Sequence, residues 1–241
     1  MDNTSNSNEA YDAAKKWDEV LKTIEEGRIL DLGKYYSYTI DHDIKHLGFV
    51  LARYKFASKM MENRSGLRVL ELGCSYGLGS PYFLQTKSVQ RYVGVDLDDE
   101  AIAWANKTFG SERVAFINED FLGNVYWRNE DGCELFDAVV SIDVIEHIIH
   151  DKEELYLQTI CDNLSDNGFA LIGTPNITMK PFASAASEVG HVNLFDQKRL
   201  YNLLSRRFSN VFMFGMTDEV IHTGFYPFCC YIFALCTNKK R

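Results

Sequence analysis

The sequence is poor in the features that mark several large classes of protein. Only 4 of its 241 residues are proline, which argues against collagen-like repeats and proline-rich linkers. Its six cysteines form no Cys-x-x-Cys pair, so neither a disulfide scaffold nor a zinc knuckle is predicted. The longest apolar run, residues 225–236, has the length of a strand and not the roughly 20 residues of a membrane span. These absences predict a soluble protein with reduced thiols.

Basic residues are also scarce relative to acidic ones. Lys and Arg number 25 against 34 Asp and Glu, which gives a formal net charge of -9. The resulting field repels polyanions, so the composition disfavours nucleic acids and anionic membranes as partners. The N-terminus has no basic segment followed by an apolar one, so we predict no signal peptide and expect a cytoplasmic location.

What is present is the composition of an ordinary globular protein, with 46% hydrophobic and 24% charged residues. Residues 1–10 are rich in Asn and Ser, and we expect a disordered tail there. Apolar residues recur at three-and-four spacing between residues 11 and 64, which predicts an N-terminal helical cap. The remaining residues, 65–241, are expected to form the main domain.

Short apolar runs alternate with helix-like segments from residue 67 onward. Seven runs are strand candidates: 67–73, 92–96, 114–118, 136–142, 169–174, 211–216 and 230–236. Such alternation predicts an α/β fold with a Rossmann-like, doubly wound, mostly parallel sheet. The last two runs have no convincing helix between them, so we expect the last strand to be antiparallel. Two long links, 123–132 and 175–193, lie where a lid over an active site is expected.

The first strand runs into a glycine-containing turn with the sequence VLELGCSYG. Ligands of open α/β sheets bind at such turns, at the carboxyl ends of the strands. Ser75 stands at the second position of the Gly-x-Gly-x-x-Gly pattern, which makes the match to a dinucleotide site poor. Glu71 adds negative potential where a pyrophosphate would need positive potential. The turn at Gly73, Cys74 and Gly77 therefore suits a ligand with ammonium and sulfonium groups.

Acidic residues follow the second and third strand candidates. Asp96 ends the second, where an acidic side chain accepts hydrogen bonds from ribose hydroxyls. Asp120 and Phe121 follow the third and offer a carboxylate for the edge of an adenine and a ring for its face. An acid after a strand is often only a helix N-cap. In this order and spacing, however, the acids together predict a nucleoside site.

These segments resemble the class I S-adenosylmethionine (SAM)-dependent methyltransferases, especially UbiG-like enzymes and O-methyltransferases of bacterial capsule and lipopolysaccharide gene clusters. The similarity covers residues 67–175, where VGVDLDDEAIAWA, INEDF and FDAVVSIDVIEH follow the turn. Residues 46–56 are similar to a His-x-x-Arg-Tyr-x-Phe segment whose arginine, here Arg53, is implied to hold the cofactor carboxylate. The cofactor-binding residues that the resemblance and the turn imply are Arg53, Glu71, Gly73, Cys74, Ser75, Gly77, Asp96, Leu97, Asp120, Phe121 and Ser141.

Polar residues follow the fourth strand at three-and-four spacing. Asp143, Glu146 and His147 would share one face of a helical turn, and His191 follows the second long link. The loops after the fourth and fifth strands are neighbours in a doubly wound sheet, so the two histidines are expected to meet. A mixed set of oxygen and nitrogen ligands suits Mg or Mn. The pattern resembles the metal site of small-RNA terminal 2′-O-methyltransferases, with Asp143 in place of a glutamate one methylene longer.

Two other interpretations of these residues stay open. His147 or His191 could serve as a metal-free general base, because imidazole titrates near neutral pH. Alternatively, Glu146 and His147 are only a helix start and a satisfied polar pair. His150 is a substitute for His147 in any of the three interpretations.

The expected reaction is O-methylation of a small polar acceptor. The segment after the fourth strand, Ser141-Ile142-Asp143-Val144, lacks the Asn-Pro-Pro-Tyr run common in N-methyltransferases. Resemblance to capsule-cluster enzymes implies sugars, nucleotide-linked sugars or phosphorylated precursors, including those of O-methyl phosphoramidate. The alternatives are an RNA-terminal 2′-O-methyltransferase and a non-catalytic binding module. A homodimer is a further expectation.

Overall fold

The structure, a computed structural model, describes residues 4–25, 31–126 and 135–240. The chain forms two compact units, Met1–Leu32 and Gly33–Arg241. The first contains helix α1 (Thr4–Glu25), which starts inside the segment where the sequence predicted a disordered tail. No proline or glycine interrupts those helical residues, so nothing in the sequence ends the helix earlier.

Two helices open the second unit, α2 (Gly33–His42) and α3 (Ile44–Lys59). Asp43 caps α3, because its side chain accepts a hydrogen bond from the backbone N–H of His46. The sequence analysis grouped these helices with α1 in one cap, whereas they belong to the same unit as the sheet. The reason is packing: the ring of Phe56 lies 4.9 Å, between centroids, from a strand phenylalanine, Phe233.

A single eight-stranded sheet forms the centre of this unit. Its strands are β1 (Leu67–Leu72), β2 (Val89–Asp96), β3 (Val114–Asn118), β4 (Phe136–Ile142), β5 (Leu164–Pro175), β6 (Phe208–Thr217), β7 (Val220–His222) and β8 (Tyr231–Lys239). The strand order is β3-β2-β1-β4-β5-β8-β6-β7. Strands β1 to β5 pair in parallel, and β8 is antiparallel to both β5 and β6. The predicted α/β class, the mostly parallel sheet and the antiparallel last strand are confirmed.

The predicted number of seven strands is wrong by one. The additional strand, β7, forms a hairpin with β6 in which Thr217 pairs with Val220 and Gly215 with His222. Asp218 adopts a positive φ of 49° in the turn between them. The sequence analysis took residues 218–228 as a loop, because a strand of three residues is too short to show an alternating pattern.

Helices connect the strands and cover the sheet. They are α4 (Gly79–Gln85), α5 (Asp99–Phe109), α6 (Glu153–Asn163), α7 (Ala185–Gly190) and α8 (Gln197–Leu204). The predicted link 175–193 contains a 3₁₀ helix, Ile177–Phe182, as well as α7. The predicted link 123–132 lies partly outside the described residues. Within the described part of the chain, no helix has the length and apolar character needed to cross a bilayer.

The hydrophobic core lies between the sheet and its helices. Its members include Leu70 of β1, Val139 of β4, Ile172 of β5 and Tyr156 of α6, all buried. Strands buried on both faces carry nearly continuous apolar runs, which is why the sequence pattern identified them. The loops that follow β1, β2, β4 and β5 lie along one edge of the sheet, where open α/β sheets bind their ligands.

Candidate active site

The turn after β1 touches the segment that follows β4. Gly73 has a φ of 77°, and a Cβ atom there would lie 2.2 Å from Cγ2 of Val144. Only glycine satisfies both the left-handed backbone and the close approach. Ser75, also at positive φ, donates its N–H to Oδ2 of Asp96 at 2.7 Å. The turn is therefore tied to β2 as well as to the segment after β4.

Asp96 stands where the ribose ligand was predicted. Its Oδ1 accepts a hydrogen bond from the N–H of Asp98 at 3.0 Å, and its Oδ2 accepts the one from Ser75. Each carboxylate oxygen can accept a second hydrogen bond. The carboxylate is thus held in place with acceptor capacity left for a ligand.

Glu71 lies beneath the turn and is completely buried. The Tyr54 hydroxyl donates to its Oε1 at 2.8 Å, and the Tyr92 hydroxyl donates to its Oε2 at 2.6 Å. Burial raises the pKa of Glu71 to about 7, although the two tyrosines oppose the shift. Burial also raises the pKa of the Cys74 thiol, so no thiolate forms beside the turn at neutral pH.

The residues predicted for adenine and the remaining cofactor contacts lie in three environments. Leu97 and Asp120 are exposed at the edge of the sheet, and Asp120 accepts a hydrogen bond from the N–H of Leu122. Phe121, in contrast, is 6% exposed and packs edge-on against Tyr156. Its ring belongs to the core, which differs from the expectation that it holds an adenine face. Ser141 is buried within β4.

Arg53 and Asp143 bind each other. Nη1 of Arg53 lies 2.5 Å from Oδ2 of Asp143, and the guanidinium stacks over Tyr231 at 4.0 Å from the ring centroid. Asp143 has a φ of 58°, and its N–H donates to the carbonyl of Gly173 at 3.0 Å. The resemblance assigned Arg53 to the cofactor carboxylate and Asp143 to a metal. In the structure the short Asp143 side chain is directed to Arg53, so the predicted set of four metal ligands is not assembled.

The other three predicted ligands do come together. Glu146 and His147 lie in a 3₁₀ turn, Ile145–His147, and His191 follows α7. Each offers a ligand atom, and these atoms all lie within 4.8 Å of one another. The imidazole rings are 5.1 Å apart between centroids. The three residues, which we call the Glu-His-His cluster, are brought together by the loops after β4 and β5.

The protonation of the cluster is set by burial and by hydrogen bonds. Glu146 is fully buried, and burial raises its pKa to about 8, with the nearby Asp143 carboxylate adding to the shift. Its Oε2 accepts from Oγ1 of Thr174 at 2.9 Å, whereas its Oε1 has no hydrogen-bond partner among the described residues. An orphaned buried carboxylate oxygen is costly unless a proton or a cation satisfies it.

The two histidines are suited to binding a cation. Nδ1 of His147 is 2.8 Å from the carbonyl of Gly190, so it carries the proton and Nε2 is left as an acceptor. Burial lowers the pKa of His191, and the neighbouring His147 lowers it further, so His191 is neutral at neutral pH. The Glu-His-His cluster therefore fits a divalent metal, with one oxygen and two nitrogen ligands.

Sequence reasoning missed three contributors to this region. Thr174 ends β5 and satisfies one oxygen of Glu146, Gly190 orients His147, and Tyr231 supports Arg53. The Thr-Pro-Asn run at residue 174 and the glycine next to His191 were visible signals, but Tyr231 had none. His150 is 76% exposed at its side chain and pairs with Glu153, so it does not join the cluster.

Comparison with known proteins identifies the family. A family model described as a methyltransferase domain matches residues 40–207, more than half of the chain. The chain belongs to this methyltransferase family. The prediction of a class I SAM-dependent methyltransferase is confirmed, and SAM is the cofactor that the family implies for the edge of the sheet described above.

Individual relatives agree with this assignment. The ubiquinone biosynthesis O-methyltransferase of Azorhizobium caulinodans is 29% identical over 143 residues, which cover 58% of this chain and 54% of the relative. The cyclopropane-fatty-acyl-phospholipid synthase of Escherichia coli K12 is 25% identical over 148 residues, covering 61% and 36%. The chain therefore spans between about a third and about half of these relatives.

A solved structure shares the fold of this methyltransferase. The methyltransferase domain of bacterial CtHen1-C superimposes with a TM-score of 0.60 at 16% sequence identity. The superposition covers 77% of this chain and 96% of that domain. At this identity the similarity extends to the fold and not to the acceptor.

Proposed function

We propose that this methyltransferase transfers the methyl group of SAM to an oxygen atom of a small polar acceptor, with a divalent metal held by the Glu-His-His cluster. The observation that carries the proposal is the buried carboxyl group of Glu146. Its Oε1 has no hydrogen-bond partner among the described residues, and one of its two oxygens lies within 4.8 Å of a nitrogen of His147 and of His191. A metal ion would satisfy Oε1, and protonation of the carboxyl group is the alternative way to neutralise it.

The ligand chemistry favours Mn over Mg. Asp143 is bound to Arg53, which leaves one carboxylate and two imidazoles at the cluster. Mg²⁺ prefers a shell made only of oxygen ligands. Mn²⁺ and the later ions of the first transition row also accept imidazole nitrogen. The hydrogen bond from His147 Nδ1 to the Gly190 carbonyl is the outer contact that metal-binding histidines usually make. When bound, the metal would lower the pKa of an acceptor hydroxyl.

The geometry also favours an acceptor beside the cofactor. Methyl transfer from a sulfonium is an in-line displacement, so the acceptor oxygen must lie opposite the leaving sulfur. Val144 contacts Gly73 in the turn predicted to hold the methionine part of SAM, and Glu146 is two residues further along. An acceptor oriented by the Glu-His-His cluster would therefore be close to the methyl group.

The acceptor class is inferred from charge and from the relatives. A net charge of -9 disfavours RNA, and a phosphorylated precursor or nucleotide-linked sugar offers oxygen atoms that a metal can bind. Such acceptors occur in capsule and surface-glycan synthesis, including O-methyl phosphoramidate formation. The ubiquinone O-methyltransferase relatives support an oxygen acceptor. The lipid named for the cyclopropane synthase makes a carbon acceptor the competing outcome.

The test is release of S-adenosylhomocysteine (SAH) from purified protein, with Mn, with Mg and after removal of metal by a chelator. Acceptors are nucleotide-linked sugars, small phosphate esters, an unsaturated phospholipid and a short RNA. We expect metal-dependent turnover of a sugar or phosphate ester. His150→Ala is the control, because it removes a neighbouring histidine outside the cluster. Metal-independent turnover would instead support a histidine general base, and turnover of RNA alone would support a terminal 2′-O-methyltransferase.

A further inference from the structure

The ring of His191 packs edge-on against the ring of His147, but this contact alone does not fix the position of His191. Among the described residues its imidazole makes no side-chain hydrogen bond, and its backbone N–H donates to the Ser187 carbonyl at 2.9 Å at the end of a six-residue helix. A short helix followed by a loop holds a metal-binding side chain only weakly. Another contact must hold this segment against the turn that contains Glu146 and His147.

Asn193 makes that contact. It is 6% exposed, and its backbone N–H donates to the carbonyl of Glu146 at 2.9 Å. Its side-chain Nδ2 donates to the carbonyl of Ile148 at 2.9 Å. Asn193 therefore binds the cluster's 3₁₀ turn on both sides of His147, two residues after His191.

An ion pair between buried Glu153 and partly exposed Arg199 fixes the Asn193 side chain in turn. Nδ2 of Asn193 also donates to Oε1 of Glu153 at 2.8 Å, and its Oδ1 accepts from Nη2 of Arg199 at 2.7 Å. Arg199 forms a salt bridge with Glu153, and its Nη1 donates to the carbonyl of Leu194 at 2.7 Å. The side-chain amide of Asn193 is thus hydrogen-bonded to the residue after the 3₁₀ turn and to the starts of α6 and α8.

We propose that Asn193 is a positioning residue that sets the place of His191 relative to Glu146 and His147. The metal part of this inference rests on the proposed function, whereas the position of the loop does not. Asparagine suits the role because one side chain both donates to a backbone carbonyl and a carboxylate and accepts from a guanidinium. Asn193→Ala would keep the backbone hydrogen bond to Glu146 but remove the side-chain hydrogen bonds to Ile148, Glu153 and Arg199, and so loosen the loop that carries His191.

The experiment compares Asn193→Ala with Asn163→Ala in the full chain. Asn163 is equally buried and makes three side-chain hydrogen bonds, to Tyr126, Asn124 and Thr159, away from the cluster. We expect Asn193→Ala to weaken Mn²⁺ binding by about 10- to 100-fold, the range for outer contacts of metal sites. Asn163→Ala should change the Mn²⁺ dissociation constant by less than about twofold, even if both variants lose similar thermal stability.

Hydrogen exchange without metal gives a second measurement. Amides of residues 187–195 should exchange faster in Asn193→Ala than in Asn163→Ala. Glu153→Gln keeps an oxygen for the Asn193 amide, so it should retain more Mn²⁺ affinity than Glu153→Ala. Faster exchange with unchanged Mn²⁺ affinity, or unchanged exchange, would overturn the inference. If the unmodified protein binds no Mn²⁺, the proposed metal fails, and the exchange data alone decide whether Asn193 holds the loop.

Discussion

The two halves of the ligand-binding edge differ in how they satisfy their carboxylates. On the cofactor side, Glu71 accepts two tyrosine hydroxyls and Asp96 accepts two backbone N–H groups. On the other side, Glu146 accepts one hydroxyl, its second oxygen has no partner in the described part of the chain, and its carboxyl group lies beside two histidines. The first half is preorganised by the protein alone, whereas the second is arranged for a further charged partner. This difference is the reason why we propose that methyl transfer takes place beside the loops after β4 and β5.

The largest expected effect comes from removing the Glu146 charge. Glu146→Gln should lower turnover by at least about 100-fold and weaken Mn²⁺ binding to a similar extent. Stability should not fall, because the pKa of Glu146 is raised to about 8 and the folded protein already prefers the neutral side chain. Steady-state SAH release, Mn²⁺ titration and thermal unfolding check the three parts. A variant that loses stability but retains turnover would contradict the assigned role.

The next largest effect is expected at the turn. Gly73→Ala places a Cβ atom against Val144 in a left-handed conformation, and should cost about 3 kcal/mol as well as SAM affinity. Gly66→Ala is the matched control, because Gly66 also has a positive φ but its Cβ would lie 3.6 Å from the nearest atom. Chemical denaturation should show a loss of only about 1 kcal/mol for Gly66→Ala. Equal losses of stability in the two variants would show that the close contact between the new Cβ atom and Val144 costs no stability.

A third prediction tests whether Asp143 stabilises Arg53 or binds the metal. Asp143→Asn leaves the buried Arg53 guanidinium without its carboxylate and should destabilise the protein by about 2 kcal/mol. The Mn²⁺ dissociation constant should change by less than about threefold, because Asp143 binds Arg53 and is not one of the three residues of the Glu-His-His cluster. Arg53→Met combined with Asp143→Asn should recover part of the stability in a double-mutant cycle. A loss of Mn²⁺ binding like that of Glu146→Gln would return Asp143 to the metal ligands.

The smallest effect concerns the pH dependence of stability. The pKa of Glu71 is raised from an ordinary carboxyl value to about 7, so the folded state binds this proton more tightly than the unfolded state. The resulting stability is present below about pH 4.5 and is lost as the pH rises through 7. In the unmodified protein the free energy of unfolding should fall by about 1 kcal/mol per pH unit between pH 5 and 7, and Glu71→Gln should remove this decline. Urea unfolding across this range tests it, with the exposed Glu62→Gln as control.

Local sequence patterns were sufficient for most of the fold. Strands buried on both faces leave continuous apolar runs, and the helices between them leave a period near 3.6 residues. The ends of β2, β5, β6 and β8 carry polar residues, so the observed strands extend beyond the runs that predicted them. The hairpin strand β7 was missed because its pairing partner, and not its own composition, makes it a strand.

The candidate site was predictable only in part. The predictions at Gly73 and Asp96 rest on a backbone turn and a strand end, which leave signals within a few residues, and their contacts with the cofactor stay predictions. Phe121 was predicted to hold an adenine because an aromatic ring follows an acid there, but the sequence does not show that this ring is buried against Tyr156. Asn193 was missed because a single asparagine in a loop carries no pattern.

The class of fold, the order of most of its elements and the family follow from periodicity and short motifs, which are local properties of the chain. Which charged side chains meet depends on the tertiary structure. Arg53 of α3 and Asp143, which follows β4, are 90 residues apart in the chain, and only the folded chain brings them into contact. Likewise, one oxygen of Glu146 has no partner among the described residues, and no local pattern predicts this, because burial and hydrogen bonding are properties of the assembled core.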